Sequence, residues 1–212
     1  MEPFTTVSGP AAPLMLANVD TDVIIRVEPM TRHPRNELGR FAFEALRYRP
    51  DGSDDPQFVL NQPAFRGAPI LLAGANFGCG SSREPAVWAL MGMGLRCVIA
   101  PSFGDIFFGN CFQNGVLPIV LDEHTIEELA ITARTGAAMI VDLVQQQISI
   151  GDAAPFPFQI DQLRRESLLA GLDAIGLTLQ DSALISTWQE ADRARRPWIW
   201  NPVRASSAAN IS

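Results

Sequence analysis

One stretch, ILLAGANFGCGSSREPAVWALMGMG at residues 70–94, constrains this chain more than any other. Its first four residues, Ile70 to Ala73, form the short apolar run that is typical of a buried strand. Glycines follow closely, and glycine permits backbone angles that other residues adopt only at a cost. After them, apolar residues recur at helical spacing until Gly94. The stretch therefore predicts a buried strand, a tight turn and a helix in direct succession.

The segment between this turn and the helix carries two serines and an arginine. Ser81 and Glu84 have the spacing of a capping box, which predicts that the helix begins at Ser81 or Ser82. The first turn of a helix has unpaired N–H groups and partial positive charge, which favour an anion, and Arg83 adds a planar set of donors. A serine among such donors can act as a base or a nucleophile. On the two serines alone, helix capping is the simpler interpretation.

The composition limits the class of protein and its partners. A chain of 212 residues with 47% apolar content can bury a substantial core, and we expect one domain over residues 1–200 with a mobile loop at about 26–63. The small polar residues at 201–212 are expected to be disordered. A net charge of −7 disfavours nucleic acid and anionic membranes as partners. Without a signal peptide or an apolar run near the ~20 residues of a membrane span, we expect a cytoplasmic protein.

The cysteines argue against a metal centre in this chain. Cys79, Cys97 and Cys111 are far apart, no CxxC motif is present, and neither of the two histidines is near a cysteine in sequence. Cys97 and Cys111 lie in apolar surroundings and are expected to be buried. Cys79 lies in the glycine turn, where it can line a pocket or serve packing. We therefore expect no cofactor or metal bound by this chain alone.

Strands and helices alternate after Gly94, which predicts helices packed on a sheet with parallel pairs and right-handed crossovers. The expected elements after Gly94 are strands at 95–100 and 116–121, helices at 103–113 and 126–135, paired strands at 139–144 and 148–150, and helices from Asp161 to Leu172 and from about Leu179 to Arg195.

Residues 26–63, before the glycine turn, form a long arginine-bearing segment. This segment either closes over an acidic small molecule or is a solvated loop.

Four segments together resemble a known family: ANVDTDVII, GANFGCGSSRE, RCVIAPSFGDIFFGNCFQNGVLPIVL and GLDAIGLTLQ. They are similar to the small subunits of 3-isopropylmalate dehydratase, the isopropylmalate isomerase of leucine biosynthesis, over about residues 5–190. GCGSSRE followed by APSFGDIFFGN resembles the swivelling domain of the aconitase superfamily. The resemblance implies an α/β fold, a β/β/α swivelling domain with a mixed sheet and flanking helices.

The same resemblance implies a partner and a reaction. A separate large subunit would carry a [4Fe-4S] cluster on its own cysteines and share one active site with this chain. The substrate would be a small hydroxy dicarboxylic acid. The reaction would be a dehydration and rehydration that interconverts 2-isopropylmalate and 3-isopropylmalate through 2-isopropylmaleate.

Individual site residues follow from the positions that match the family motifs. Ser81 would be the base that removes the proton beside a substrate carboxylate, and Ser82 and Arg83 would bind carboxylate. Asp22 would orient the site, and either Arg32 or Arg35 would bind a carboxylate: spacing favours Arg35 and local context favours Arg32. The turn residues around the base would support the site: Gly78, Cys79 and Gly80.

Three departures from the family pattern leave the substrate open. Pro85 stands where the family usually has histidine, Arg26-Val27 stands where it has a Pro-Lys pair, and the loop at 31–43 is longer than the common form. The alternatives are a related hydro-lyase acting on citraconate/citramalate, dimethylmalate or homoaconitate, and a non-catalytic carboxylate-binding assembly subunit. A serine hydrolase is disfavoured because the chain lacks a GxSxG motif.

Overall fold

The computed structural model describes residues 1–200, which divide into two compact units at Asp173/Ala174. The tail at 201–212 lies outside the described residues, and the expectation of one domain over residues 1–200 stays a prediction. The strands are β1 (Thr6–Gly9), β2 (Ala11–Leu14), β3 (Ile70–Ala73), β4 (Cys97–Ala100), β5 (Leu117–Val120), β6 (Met139–Asp142), β7 (Gln147–Ile150) and β8 (Phe156–Pro157). The helices are α1 (Thr21–Ile24), α2 (Val27–Arg32), α3 (Glu44–Arg47), α4 (Glu84–Gly92), α5 (Asp105–Asn114), α6 (Glu123–Ala133), α7 (Gln162–Ala170), α8 (Ala174–Gln180), α9 (Ser182–Arg195) and α10 (Pro197–Trp200).

The parallel sheet of the first unit has the strand order β2-β3-β4-β5. Ile70 of β3 is paired with Ala11 of β2 and Cys97 of β4, and Cys97 is paired with Leu117 of β5. Strands β2, β3 and β4 are buried at every position, because both faces of the sheet are covered, and a strand of this kind has a continuous apolar run rather than an alternating one. The parallel αβ alternation expected after Gly94 is confirmed.

A second, antiparallel sheet has the order β1-β6-β7-β8. One apolar cluster joins it to α6 and to the face of the parallel sheet that carries Leu72 and Ile99. The opposite face, with Leu71 and Val98, packs in a second cluster with α4, α5 and apolar residues of the segment at 26–63. The first unit is therefore a layered α/β structure in which the parallel sheet is central.

The arginine-bearing segment at 26–63, expected to be a mobile loop, has regular structure and contributes to the core; its mobility stays a prediction. It contains short helices, including a 3-10 helix at Arg35–Phe41, and its residues Leu38 and Phe43 belong to the core. A Cβ atom on Gly39 would lie 2.3 Å from the carbonyl carbon of Gly92, so this segment rests directly on the backbone of α4. Its buried apolar residues are spaced too irregularly for periodicity to detect.

The start of α4 also differs from the prediction. The helix begins at Glu84, its N-cap is Arg83, and no side chain caps it. Ser81 and Ser82 lie in the preceding turn instead of in the helix. The capping box does not form because Arg83, and not Ser81, is the N-cap. The carboxylate of Glu84 instead accepts a hydrogen bond from Nδ2 of Asn114 at 2.9 Å. Pro85 is the second residue of α4, where a missing N–H has no cost.

The second unit contains α8, α9 and α10 within its described part, with a break at Asp181 in place of the single helix predicted from about Leu179. The carboxylate of Asp192 accepts hydrogen bonds from Trp200 Nε1 at 3.0 Å and from Arg196 Nε at 2.7 Å. These hydrogen bonds, of which the one from the Trp200 indole has the largest effect, keep the pKa of the Asp192 carboxyl below its usual value. The carboxylate therefore stays ionised. Within residues 1–200, every helix is too short or too polar to cross a lipid bilayer.

The close approach of Gly104 to the glycine turn can be tested by adding one methyl group. A Cβ atom at Gly104 would lie 2.5 Å from the carbonyl oxygen of Gly78 and 2.9 Å from Cα of Cys79. We expect Gly104→Ala to lower the free energy of unfolding by about 1–3 kcal/mol, as overpacking does. Gly109→Ala in α5, where a Cβ atom meets nothing within 4 Å, should leave it unchanged or raise it. Urea denaturation of the isolated chain measures both, and equal stabilities would contradict the prediction.

Candidate functional site

Three loops that follow neighbouring parallel strands meet at the carboxyl edge of the sheet. The amide of Thr21, after β2, donates to the carbonyl of Cys79, after β3, at 2.9 Å. The amide of Phe77 donates to the carbonyl of Ser102, after β4, at 3.0 Å, and the amide of Gly104 donates back to Phe77 at 2.9 Å. The crevice outside the carboxyl ends of parallel strands is where ligands bind in open α/β sheets. This edge is therefore the candidate site.

Two glycines shape the turn after β3. Gly78 has φ +71°, and a Cβ atom there would lie 2.2 Å from the ring of Phe107 in α5. Gly80 has φ +88°, a conformation that residues with side chains rarely adopt. The half-buried Cys79 lies between them. The turn can follow this path only because both flanking positions lack side chains.

Ser81 and Ser82 are both exposed, and neither hydroxyl is bonded to another described residue. The backbone of Ser81 is fixed, because the hydroxyl of the buried Thr21 donates to the Ser81 carbonyl at 2.9 Å. The N–H groups from Gly80 to Glu84 donate no hydrogen bond within residues 1–200. Successive backbone N–H groups that lack protein acceptors are donors that an anion can use.

Arg83 forms an ion pair with Asp22, which lies in the first turn of α1. The side chain of Arg83 is 17% exposed and that of Asp22 is 53% exposed. Asp20 fixes the start of α1, since its Oδ1 accepts from the amide of Val23 at 2.7 Å. A guanidinium has five N–H donors, so a contact with one carboxylate leaves donors for another. Asp22 therefore fixes the orientation of Arg83 without using all of its capacity.

The structure places Arg32 and Arg35 differently. Arg35 donates to Oδ1 of Asn114 at 2.9 Å and lies 4.8 Å from the centre of the Trp88 ring. Arg32 is exposed and forms no hydrogen bond or ion pair with a described residue; it lines a concavity of about 310 Å³. Neither side chain has a hydrogen bond or ion pair to residues 80–83 in the described part of the chain.

Two buried polar residues near the site were not predicted from the sequence. Asn114 follows the helix predicted at 103–113, and its buried amide contacts Glu84, Trp88 and Arg35. A buried amide needs partners for both its oxygen and its nitrogen, so a polar residue at the end of an apolar helix was the available signal. Thr21, next to Asp22 in the chain, is only 1% exposed.

The cysteines of the described chain do not fit an iron–sulfur cluster. Cys97 and Cys111 are buried, and burial raises the pKa of both thiols. Cys79 is half-buried and lies in the glycine turn. Residues 1–200 contain no group of three His, Cys, Asp or Glu side chains that could hold a metal ion.

Comparison with known proteins identifies the family of this chain. Residues 1–124 match the family described as the aconitase C-terminal domain. The 3-isopropylmalate dehydratase small subunit of Cereibacter sphaeroides is 51% identical over 201 residues, 94% of this chain and 100% of that protein. The corresponding subunit of Paracoccus denitrificans is 49% identical with the same coverage.

A solved structure, the crystal structure of 3-isopropylmalate dehydratase from Methanocaldococcus jannaschii, matches with a TM-score of 0.64 and 28% identity. The match covers 87% of this chain and 99% of that chain. The α/β swivelling-domain fold and the family expected from the sequence motifs are thereby confirmed. This chain belongs to the family of 3-isopropylmalate dehydratase small subunits, within the aconitase superfamily.

Proposed function

We propose that this chain, together with a separate large subunit, interconverts 2-isopropylmalate and 3-isopropylmalate by dehydration and rehydration. The observation that carries the proposal is the exposed Ser81 in a turn whose N–H groups from Gly80 to Glu84 are unused, beside the oriented Arg83. These donors suit a substrate carboxylate and the negative charge that develops beside it. The names of the relatives support the same reaction.

Ser81 is the proposed base in this reaction. The proton to be removed lies on a carbon beside a carboxylate and is only weakly acidic, so the negative charge left behind has to be stabilised. A serine hydroxyl is a poor base in water. It becomes effective where fixed donors stabilise its oxygen as an alkoxide, and the free amides of the turn are such donors.

Ser82 and Arg83 are the proposed ligands of the carboxylate next to that proton. A guanidinium binds a carboxylate through two parallel hydrogen bonds, which fixes the direction of approach as well as the distance. Asp22 holds the guanidinium on one side, and Thr21 holds the backbone of Ser81. These two contacts would keep the position of Ser81 relative to Arg83 constant.

The other half of the site is proposed to come from the large subunit. A [4Fe-4S] cluster on that subunit would supply a Lewis acid for the leaving hydroxyl group. The role of this chain is to bind the carboxylate, move the proton and close the site against water. Since the substrate is a soluble metabolite, we place the complex in the cytoplasm.

Replacing the proposed base gives the most direct test. We expect Ser81→Ala to lower kcat of the reconstituted complex by about 10²–10⁴-fold, the usual contribution of a general base, with little effect on assembly. Isopropylmaleate absorbance under anaerobic conditions measures the rate, and gel filtration measures assembly. Ser8→Ala, which removes an exposed hydroxyl from β1, is the control and should be as active as wild type. Retained turnover in Ser81→Ala would reject the assigned base.

The same assay distinguishes related substrates. Arg26-Val27 and Pro85 depart from the family pattern at the loop and helix beside the site, which keeps a related hydro-lyase as the second candidate. We expect 2-isopropylmalate to have a higher kcat/KM than citramalate, dimethylmalate and homoaconitate. Preference for another of these acids would move the proposal to that substrate, and absence of turnover with all of them would favour a non-catalytic assembly subunit.

Arg83→Lys tests the carboxylate ligand. Lysine keeps the positive charge but loses the planar pair of donors, so we expect KM to rise about 10–100-fold with a smaller change in kcat. Arg66→Lys is the matched control, because Arg66 is an exposed residue paired with Asp54 at 2.8 Å on the surface. Steady-state kinetics of the complex measures both variants. An unchanged KM in Arg83→Lys would show that the substrate does not use this guanidinium.

A further inference from the structure

The loops after β2 and β3 stay paired beyond the edge of the parallel sheet. Leu14, at the end of β2, is paired with Ala73 of β3, and Asp20 is bridged to Cys79 in the same parallel register. The two residues that contact the proposed base and its neighbouring guanidinium follow Asp20 directly in the chain. The position of one loop relative to the other therefore sets the geometry of the proposed site.

Two exposed asparagines join the loops between these two pairings. The amide of Asn18 donates to the carbonyl of Ala75, and Nδ2 of Asn76 donates to Oδ1 of Asn18, both at 2.8 Å. The amide of Asn76 donates to Oγ of Ser102, in the loop after β4, also at 2.8 Å. Asn76 is thus hydrogen-bonded to the loops on both sides of its own.

Both asparagines have a left-handed backbone conformation, with φ +56° at Asn18 and φ +60° at Asn76. Asparagine tolerates this region better than most residues do, but glycine adopts it without a steric cost. A glycine at either position would satisfy the backbone and would lack the hydrogen bond between the side chains. The backbone conformation alone therefore does not account for a bonded pair of asparagines here.

We propose that Asn76 is a positioning residue, which holds the start of the glycine turn through its bonds to the neighbouring loops and so places the proposed base. The inference rests on the proposed function. Between Asn76 and Ser81 lie Gly78 and Gly80, whose backbones have more freedom than those of other residues. A turn of this kind needs a fixed point before its glycines, and Asn76 supplies it.

Asn76→Gly tests the inference because it keeps the backbone conformation and removes the side-chain bridge. In the complex with the large subunit, we expect kcat with 2-isopropylmalate to fall about tenfold or more, as it does when a reacting group is slightly misplaced. KM should change less than about threefold, because Arg83 keeps its ion pair with Asp22. Steady-state kinetics measures both constants, and gel filtration checks assembly. A wild-type kcat would overturn the inference.

Gln146→Gly is the matched control. Gln146 has φ +55° and lies in the turn between β6 and β7, in a sheet that contributes no residue to the proposed site. Both glycine variants should unfold within a few degrees of wild type, because relief of the left-handed conformation offsets the added freedom of glycine in the unfolded chain. Thermal denaturation measures this. An equal loss of kcat in Gln146→Gly would overturn the inference.

Two substitutions of Asn18 separate the bridge from the backbone. Aspartate tolerates the left-handed conformation and keeps an oxygen for Nδ2 of Asn76, whereas glycine removes the acceptor. We expect Asn18→Asp to stay within about threefold of the wild-type kcat, and Asn18→Gly to lose as much as Asn76→Gly. Combining the two glycine substitutions should add no further loss, since both break one bond. Additive losses, or an Asn18→Asp variant as slow as Asn18→Gly, would contradict the bridge.

Hydrogen exchange in the free subunit tests the positioning role without the reaction. The amides of Phe77, Gly78 and Thr21 are hydrogen-bonded between the loops, at 3.0, 2.7 and 2.9 Å. We expect them to exchange about three- to tenfold faster in Asn76→Gly, the effect of losing one hydrogen bond, and at the wild-type rate in Gln146→Gly. Unchanged exchange in Asn76→Gly would overturn the inference. Faster exchange, with a wild-type complex that turns over none of the acids, would support the positioning role and refute only the proposed reaction.

Discussion

The contact between two backbone turns at the carboxyl edge of the parallel sheet determines the rest of the site. β3 and β4 are in parallel register, so the loops that follow them leave the sheet at the same level and share one space. Gly104 and Gly78 make that possible, because a Cβ atom at either would collide with the neighbouring loop or with the Phe107 ring. The turn that leads to Ser81 is therefore supported by the next strand's loop and keeps its side chains free for a ligand.

Local patterns in the sequence were sufficient for strands β3 to β7 and for the five longest helices, each of nine or more residues. The apolar run at Ile70–Ala73 and the glycines after it depend on near neighbours, and the structure follows them. The start of α4 was predicted wrongly: its N-cap is Arg83, and the Glu84 side chain is hydrogen-bonded to Asn114, thirty positions away, and not to the nearby turn. The same limit applies to the arginine-bearing segment, whose Leu38 and Phe43 are buried by contacts that no periodic pattern shows.

Sequence motifs give candidate residues of the site, but not the contacts that these residues make in the structure. Arg83 is paired with Asp22, sixty-one positions away in the chain, and Thr21 fixes the carbonyl of Ser81 across sixty positions. Spacing in sequence carries no information about contacts of this range. The sequence likewise does not decide between Arg32 and Arg35. In the structure, Arg35 is hydrogen-bonded to the buried amide of Asn114, whereas Arg32 has no hydrogen bond or ion pair within residues 1–200.

An exposed row of unpaired amides is compatible with a stable chain only where water can reach it. In the free subunit, N–H groups of the turn that water reaches need no protein acceptor, so leaving them without one carries no folding cost. The same water would compete for every donor that stabilises an alkoxide at Ser81, the proposed base. Covering this surface with a second polypeptide would replace water with substrate and strengthen each of these hydrogen bonds. The proposed division of the site between two chains would therefore reconcile a stable free subunit with the reactivity that the proposed reaction requires.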